Sequence, residues 1–115
     1  MNDIPFYTDG MKLIDHLRGH PLVTKTIVTI TPPLYATENE PVARKRGTAK
    51  FFSPSLTWFM CELDPETGEA FGFVENLSEP AFSEWGYFSL VELGEVFVRG
   101  IYVERDLYYD GRIPE

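Results

Sequence analysis

The stretch LTWFMCELDPETGEAFGFV, residues 56–74, decides the fold of this chain. Its centre, residues 64–68, reads Asp-Pro-Glu-Thr-Gly, a typical turn composition in which aspartate bonds nearby backbone and glycine accepts a left-handed conformation. The runs on either side, 57–63 and 69–75, are rich in aromatic and apolar residues that favour strands. We therefore predict that the two runs pair as an antiparallel hairpin.

Alternation assigns faces to this hairpin, because successive side chains of a strand point to opposite sides. One face of the first strand is predicted to carry the apolar residues Phe59, Cys61 and Leu63. The opposite face is predicted to carry Trp58, Met60, Glu62 and Asp64. On the second strand Phe71 and Phe73 share one face, opposite Gly72 and Val74.

The segments before the hairpin predict a helix and two strands. Residues 9–18 have apolar positions at helical spacing, with Thr8 or Asp9 as the cap and Gly19 as the stop. The β-branched run 23–30 predicts a strand, and residues 50–52 predict another. The polar residues 37–48, which include Arg44-Lys45-Arg46, are expected to form an exposed loop.

The segments after the hairpin centre on EWGYFSLVEL, residues 84–93. Its rings and glycine predict a hinge that joins a strand to a helix, and Ser89 to Glu92 match a capping box for a short helix near 89–95. Residues 96–98 and 101–109 are predicted to be strands. The whole pattern predicts a single α+β domain over residues 1–115, with a mostly antiparallel sheet of five to six strands.

Charge is distributed unevenly along the chain. The net charge is −8, made of +2 over residues 1–61, −9 over residues 62–106 and −1 over residues 107–115. Such a surface repels nucleic acid and anionic membranes, and it attracts a basic protein surface. The only cysteine excludes an internal disulfide, and the first residues lack the layout of a signal peptide. We therefore expect a cytoplasmic protein that binds neither nucleic acid directly nor a membrane.

Pairs of acids raise an enzymatic alternative. Glu62 and Asp64 are two residues apart, as are Glu104 and Asp106, so each pair would share a strand face. Four carboxylates on neighbouring strands could hold Mg²⁺ and support a metal-dependent nuclease or hydrolase. Asp64 also fits its position as a turn residue, and Arg105 between two acids also fits an ordinary ion-pair network.

Other chemistry-bearing residues give weaker patterns. His16 and His20 have the spacing of helix-borne zinc ligands, but Gly19 and Pro21 place His20 beyond the helix end, and there is no third ligand. Cys61 alternates with apolar residues, as a buried cysteine does, and no histidine is positioned to activate it. No cofactor is expected, and the balance favours a protein that is not an enzyme.

Four motifs carry a resemblance to a known family: PPLYATE (32–38), residues 50–74, EWGYFSLVELGEV (84–96) and VERDLYY (103–109). Their order resembles a bacterial family of small proteins of unknown function, found on conjugative plasmids and integrative elements, with a core at about 30–110. The resemblance implies no catalytic residues. It implies the setting of a mobile-element accessory, and such accessories often blunt host defences such as restriction or CRISPR systems.

We therefore predict an acidic interaction protein whose partner is a host protein with a basic surface. The carboxylates expected to form this surface are Glu62, Asp64, Glu66, Glu69, Glu75, Glu79 and Glu84. Trp85 is the candidate aromatic anchor, because a partly exposed indole can dominate an interface. A small regulatory module that acts as its own dimer is a further alternative, and the sequence leaves the oligomeric state open.

Overall fold

The computed structural model describes residues 4–114, which form one five-stranded antiparallel sheet with three α-helices packed on one face. The helices are α1 (Asp9–Arg18), α2 (Lys25–Ile30) and α3 (Leu90–Glu95). The strands are β1 (Ala49–Phe52), β2 (Leu56–Leu63), β3 (Glu69–Asn76), β4 (Glu84–Ser89) and β5 (Glu104–Arg105). Single 3₁₀ turns lie at Val42–Arg44 and Pro80–Phe82. The predicted α+β class, with helices segregated to one side of the sheet, is confirmed.

Helix α1 begins and ends where its sequence predicts. The Thr8 hydroxyl accepts a hydrogen bond from the Met11 N–H at 3.0 Å, which satisfies one of the free donors of the first turn. Gly19 ends the helix in the left-handed conformation, with φ of +84°. Met11 and Ile14 turn inward and are buried.

The predicted strand at 23–30 is wrong, because residues 25–30 form helix α2. Thr24 caps this helix by accepting from the Ile27 N–H at 3.2 Å. The hydroxyls of Thr29 and Thr31 donate to the carbonyls four residues earlier. The cost of β-branched residues in a helix is only about 0.5 kcal/mol each, so burial of Ile27 in the core outweighs it.

The predicted hairpin is confirmed, with one change of register. β2 and β3 pair around the turn at 64–68, and Gly68 there has a φ of +82°. The pairing Met60↔Gly72 is followed by Glu62↔Phe71, so Cys61 is the extra residue of a β-bulge. Beyond the bulge the faces exchange, and Leu63 joins the face of Trp58 and Met60.

The segment 84–95 is a strand that runs directly into a helix. β4 pairs with β3 along its whole length, and Ser89 then caps α3 by accepting from the Glu92 N–H at 3.2 Å. The prediction of a short helix near 89–95 is therefore confirmed.

The strand predicted at 96–98 does not form, and the strand predicted at 101–109 is confirmed only at two of its residues. Val98 and Ile101 form an isolated bridge around a tight turn, in which Arg99 and Gly100 have positive φ. Only Glu104 and Arg105 pair with β1, as β5. Asp106 then accepts from the Tyr108 N–H at 2.9 Å, so a side-chain-stabilised turn replaces the ladder.

The core lies between the helices and one face of the sheet. Its fully buried side chains come from every layer and include Met11, Leu22, Phe51, Met60, Leu63 and Leu90. No described helix is both long and apolar enough to cross a membrane. None of the described helices packs on the opposite face of the sheet, which remains partly open.

A largely buried polar network ties helix α1 to the segments that flank it. Tyr7 donates to the Asp15 carboxylate at 2.6 Å, and Asp15 also pairs with the buried Arg18 and accepts from the Leu22 N–H. Arg18 donates in turn to the Val103 carbonyl at 2.6 Å. Burial, reinforced by the bond to Asp15, raises the pKa of the Tyr7 hydroxyl, so this group stays a donor.

Two glycines that face each other across β3 and β4 give a matched test of the fold. A Cβ at Gly72 would lie far inside contact distance of the Phe59 carbonyl, which is backbone, whereas a Cβ at Gly86 would meet nothing within 4 Å. We expect Gly72→Ala to lower the free energy of unfolding by about 1–3 kcal/mol or more. Gly86→Ala should be neutral or stabilise by about 0.4–1 kcal/mol. Urea denaturation of both variants measures this difference, and equal midpoints would contradict the register of β2 and β3.

Candidate functional site

The open face of the sheet carries a row of aromatic side chains. The strand pairing places Phe59, Phe73 and Trp85 side by side in one row across β2, β3 and β4. The next row, beyond the bulge, holds Phe71 and Tyr87 beside Glu62. We call the five rings Phe59, Phe71, Phe73, Trp85 and Tyr87 the aromatic face.

The rings of the aromatic face contact one another as a continuous cluster. Ring centroids lie 6.4 Å apart for Phe59 and Phe73, 5.4 Å for Phe73 and Trp85, and 5.0 Å for Phe71 and Tyr87. Trp85 also stacks on Phe71 at 6.1 Å with an interplanar angle of 22°. Phe59 and Phe73 are buried, Phe71 and Trp85 are half-buried, and Tyr87 is 51% exposed. The cluster is therefore covered at β2 and open towards β4.

The C-terminal segment covers the β2 end of the aromatic face. The Tyr109 ring lies 5.9 Å from the Phe59 ring, and burial raises the pKa of the Tyr109 hydroxyl. Gly47 N–H donates to the Gly111 carbonyl at 3.0 Å and holds this segment in place. The Lys50 ammonium lies 5.6 Å above the Phe59 ring and 3.7 Å from Asp106. The face thus already accommodates one cation over a ring.

Beyond the bulge, β2 carries a buried carboxylate on the open side of the sheet. Glu62 is 2% exposed and accepts hydrogen bonds from the Tyr35 N–H at 2.7 Å, the Thr37 N–H at 3.0 Å and the Thr37 hydroxyl. Tyr35 has a positive φ of +71°, a costly conformation for a non-glycine residue. Glu62 therefore anchors the loop that follows α2, and its carboxylate is not available to a partner.

Two of the three basic residues at 44–46 form hydrogen bonds that hold neighbouring loops together. The Lys45 ammonium donates to the Thr37 hydroxyl at 3.0 Å and to the Thr37 carbonyl. Arg46 donates to the Asp110 carbonyl at 2.6 Å, which joins the segment before β1 to the C-terminal segment. Arg44 ends a 3₁₀ turn and is exposed.

The remaining predicted acids lie at several places around the sheet. Asp64 accepts from the Glu66 N–H at 2.9 Å within the hairpin turn. Glu69 and Glu75 lie on the same side of β3 as Phe71 and Phe73, one at each end of the aromatic row. Glu84 lies on the opposite side of β4, and Glu79 lies in the loop before it.

These acids do not form one continuous acidic surface, but they are not neutralised either. Within residues 4–114, no Lys or Arg forms an ion pair with any of five of them: Glu66, Glu69, Glu75, Glu79 and Glu84. Glu69 and Glu75 lie on β3 at the two ends of the aromatic face, in addition to Lys50 over Phe59 and the buried Glu62. The association of these carboxylates with a partner stays a prediction.

The carboxylates of the metal hypothesis are not brought together. β5 pairs with β1 rather than with β2, so Glu104 and Asp106 lie beyond the strand that separates them from Glu62 and Asp64. Asp106 pairs with Lys50, and Glu104 lies 4.0 Å from the ring of His20. Across the described part of the chain, no three His, Cys, Asp or Glu side chains are grouped to hold a metal ion.

Cys61 is the extra residue of the β2 bulge and is 2% exposed. Burial raises the pKa of its thiol to about 11, so the thiol is protonated at neutral pH. A protonated, buried thiol is a poor nucleophile. This environment fits a small core residue and gives no support to a catalytic role.

A cleft of about 580 Å³ lies on the same side of the sheet, next to β5. Apolar side chains, among them Phe52, Leu77 and Tyr108, form much of its lining. The polar side chains of its lining already have neighbours: Lys50 lies 3.7 Å from Asp106, the His20 ring lies 4.0 Å from Glu104, and Arg105 donates to the Leu22 carbonyl at 3.0 Å. The cleft therefore offers apolar surface without a set of convergent free polar groups.

The sequence does not indicate the aromatic face as a unit, because the rings and glycine of residues 84–93 predict a hinge between a strand and a helix. Once residues 84–89 are a strand, Trp85 and Tyr87 alternate in step with Phe71 and Phe73. Two adjacent strands with rings at alternate positions are the signal that could have found it. Trp85, the predicted anchor, lies in the middle of this arrangement.

A comparison with family models finds one match, described as "Protein of unknown function (DUF2958)", over residues 32–114. The matched region contains the whole sheet and α3, and it begins after α1 and α2. No curated protein and no solved structure matches the chain.

The buried Glu62 can be tested with an isosteric change. We expect Glu62→Gln to lower the free energy of unfolding by about 1–3 kcal/mol, because the amide NH₂ would face N–H donors that then lack an acceptor. Glu69→Gln, on the same face but exposed, should change it by less than about 0.5 kcal/mol. Chemical denaturation of the two variants provides the comparison, and a neutral Glu62→Gln would contradict the anchoring of the loop.

The reactivity of Cys61 tests the bulge. We expect the native thiol to resist a disulfide reagent at pH 8, since it is buried and its pKa lies near 11. Denaturant should make the thiol reactive over the same concentration range in which the protein unfolds globally. Rapid modification of the folded protein would mean that β2 opens locally at the bulge.

Proposed function

The chain belongs to the DUF2958 family of proteins of unknown function, and we propose that it is a non-enzymatic interaction protein that binds a basic surface on another protein. The observation that carries this proposal is the aromatic face, open at Trp85 and Tyr87 and bracketed by the carboxylates of Glu69 and Glu75, which form no ion pair within residues 4–114. Exposed aromatic patches of this kind are uncommon on surfaces that contact only water.

A basic partner suits both components of this surface. Ring faces attract ammonium and guanidinium groups, and Lys50 over Phe59 is an intramolecular example at 5.6 Å. Carboxylates at the two ends of the row would pair with further Lys or Arg side chains. The excess of negative charge over residues 62–106 favours fast encounter with a positive surface. Trp85 is the anchor of the proposed interface, because large half-buried rings contribute most of the energy in many interfaces.

The biological setting that we propose is inhibition of a host defence system by a mobile-element accessory in the cytoplasm. Restriction and CRISPR nucleases carry basic grooves for nucleic acid, and an acidic protein could occupy such a groove. The support for this setting is the charge of the chain and the resemblance of its motifs. In this proposal the partner is the nuclease or nucleoprotein, and nucleic acid is not bound directly.

Removing the charges of Glu69 and Glu75, the carboxylates at the two ends of the aromatic face, tests the proposal. We expect the native chain to recover a basic protein from bacterial lysate at low salt and, more weakly, at physiological salt. The double variant Glu69→Gln, Glu75→Gln should lose most of this recovery, because both changes remove charge without changing shape. Glu92→Gln, on α3 at the helix side, removes the same kind of charge and serves as the matched control.

Two results would contradict the proposal. One is recovery of no partner at either salt concentration, and the other is equal recovery by the native chain and the double variant. The defence setting has its own readout, the transformation of a restricting host by unmodified plasmid. Expression of the native chain should raise the transformation efficiency of the unmodified plasmid, and expression of the double variant should not.

A further inference from the structure

Strand β4 is an edge of the sheet, since the strand order is β4-β3-β2-β1-β5. The opposite edge, β5, is only two residues long, whereas β4 has six. Among the described strands, β4 pairs only with β3. A long edge strand presents a row of backbone donors and acceptors to whatever approaches it.

The hydrogen bonds around β4 define which backbone groups face outward. Leu90 N–H donates to the Gly68 carbonyl at 2.9 Å, and bonded pairs alternate along an antiparallel ladder. The bonded pairs of β4 with β3 therefore include Phe88 with Ala70 and Gly86 with Gly72. The N–H and C=O groups of Trp85 and Tyr87 consequently point away from β3, towards the free edge.

β4 lacks the features that usually protect an edge. Its sequence, EWGYFS, has no proline, no lysine and no bulge, and its only charge is Glu84 at the start. Gly86 lies at its centre, where a Cβ would meet nothing within 4 Å. Residues 4–114 give no steric reason for this glycine, and a missing side chain is one way to admit another backbone.

We propose that β4 binds an extended basic segment of the partner as an additional strand of the sheet. The backbone of that segment would pair with Trp85 and Tyr87, and every second side chain would lie beside the aromatic face. Lysine or arginine at those alternate positions would contact the rings and reach Glu69 and Glu75, while Glu84 lies at the start of the edge. This inference rests on the proposed function and specifies the conformation and pattern of the bound segment.

A peptide probe tests strand addition without changing the protein. The probe is a short synthetic peptide with arginine at every second position and threonine between, and its counterpart has glutamate in place of arginine. Calorimetry should detect the arginine peptide and not the glutamate peptide. Backbone N-methylation of either the arginine or the threonine amides blocks one edge of the peptide, so one methylated series should bind about tenfold more weakly or worse and the other should still bind.

Two substitutions of Trp85 distinguish the contribution of its indole ring to binding from the contribution of its backbone N–H. Trp85→Ala removes the indole and keeps the outward N–H, whereas Trp85→Pro removes both, at an edge position where proline leaves the β3 ladder intact. Strand addition predicts that Trp85→Pro weakens the binding of the arginine peptide more than Trp85→Ala does. Thermal unfolding of both variants checks that the fold is retained, and the methylated peptides report on strand addition even where Trp85→Pro does not fold.

The outcomes distinguish this inference from the proposed function. Equal binding of both methylated series overturns strand addition, while loss of binding in Glu69→Gln, Glu75→Gln would still support a basic partner. Absence of any heat at about 1 mM peptide overturns strand addition to a basic segment. A dimer seen by light scattering that Trp85→Pro converts to monomer would assign the edge to a second copy of the chain and also overturn it.

Discussion

The extra residue in β2 is the constraint on which the rest of the structure depends. A regular strand would place Trp58, Met60 and Glu62 on one face, and a carboxylate would enter the core without a partner. The bulge at Cys61 sends Glu62 to the open side of the sheet and brings Leu63 to the helices. The carboxylate then finds its donors in the loop after α2, and that loop is fixed over the sheet.

The parts of the fold that follow from local chemistry could be predicted from the sequence. Helix α1 and the β2–β3 hairpin are each specified by a cap or a turn within the segment itself. Residues 25–30 could not be assigned, since their β-branched side chains favour a strand until burial of Ile27 is considered. The bulge is not predicted either, since the only mark of it in the sequence is that regular alternation would place Glu62 on the face of Trp58 and Met60.

The candidate site was predictable only in part. The sequence predicts Trp85 as an anchor from its indole and its acidic neighbours. The structure places it half-buried among other rings, and its anchoring role stays a prediction. The sequence groups Glu62 with the surface acids because it gives no measure of burial, whereas the structure leaves Glu62 only 2% exposed. The chain has nine Phe, six Tyr and two Trp, and the helix-side core includes only a few of these rings, such as Phe6, Phe51 and Trp58. Five others form the aromatic face on the open side of the sheet.

The facing glycines of β3 and β4 also have an evolutionary meaning. Gly72 is required by the backbone of β2, so selection for folding alone would preserve it in every relative with the same bulge. Gly86 has open space around it, and folding alone would let it drift to alanine, serine or threonine. Constancy at position 72 would thus be a record of the chain's own architecture. Constancy at position 86 would instead indicate selection for contact between the backbone of a second molecule and this strand.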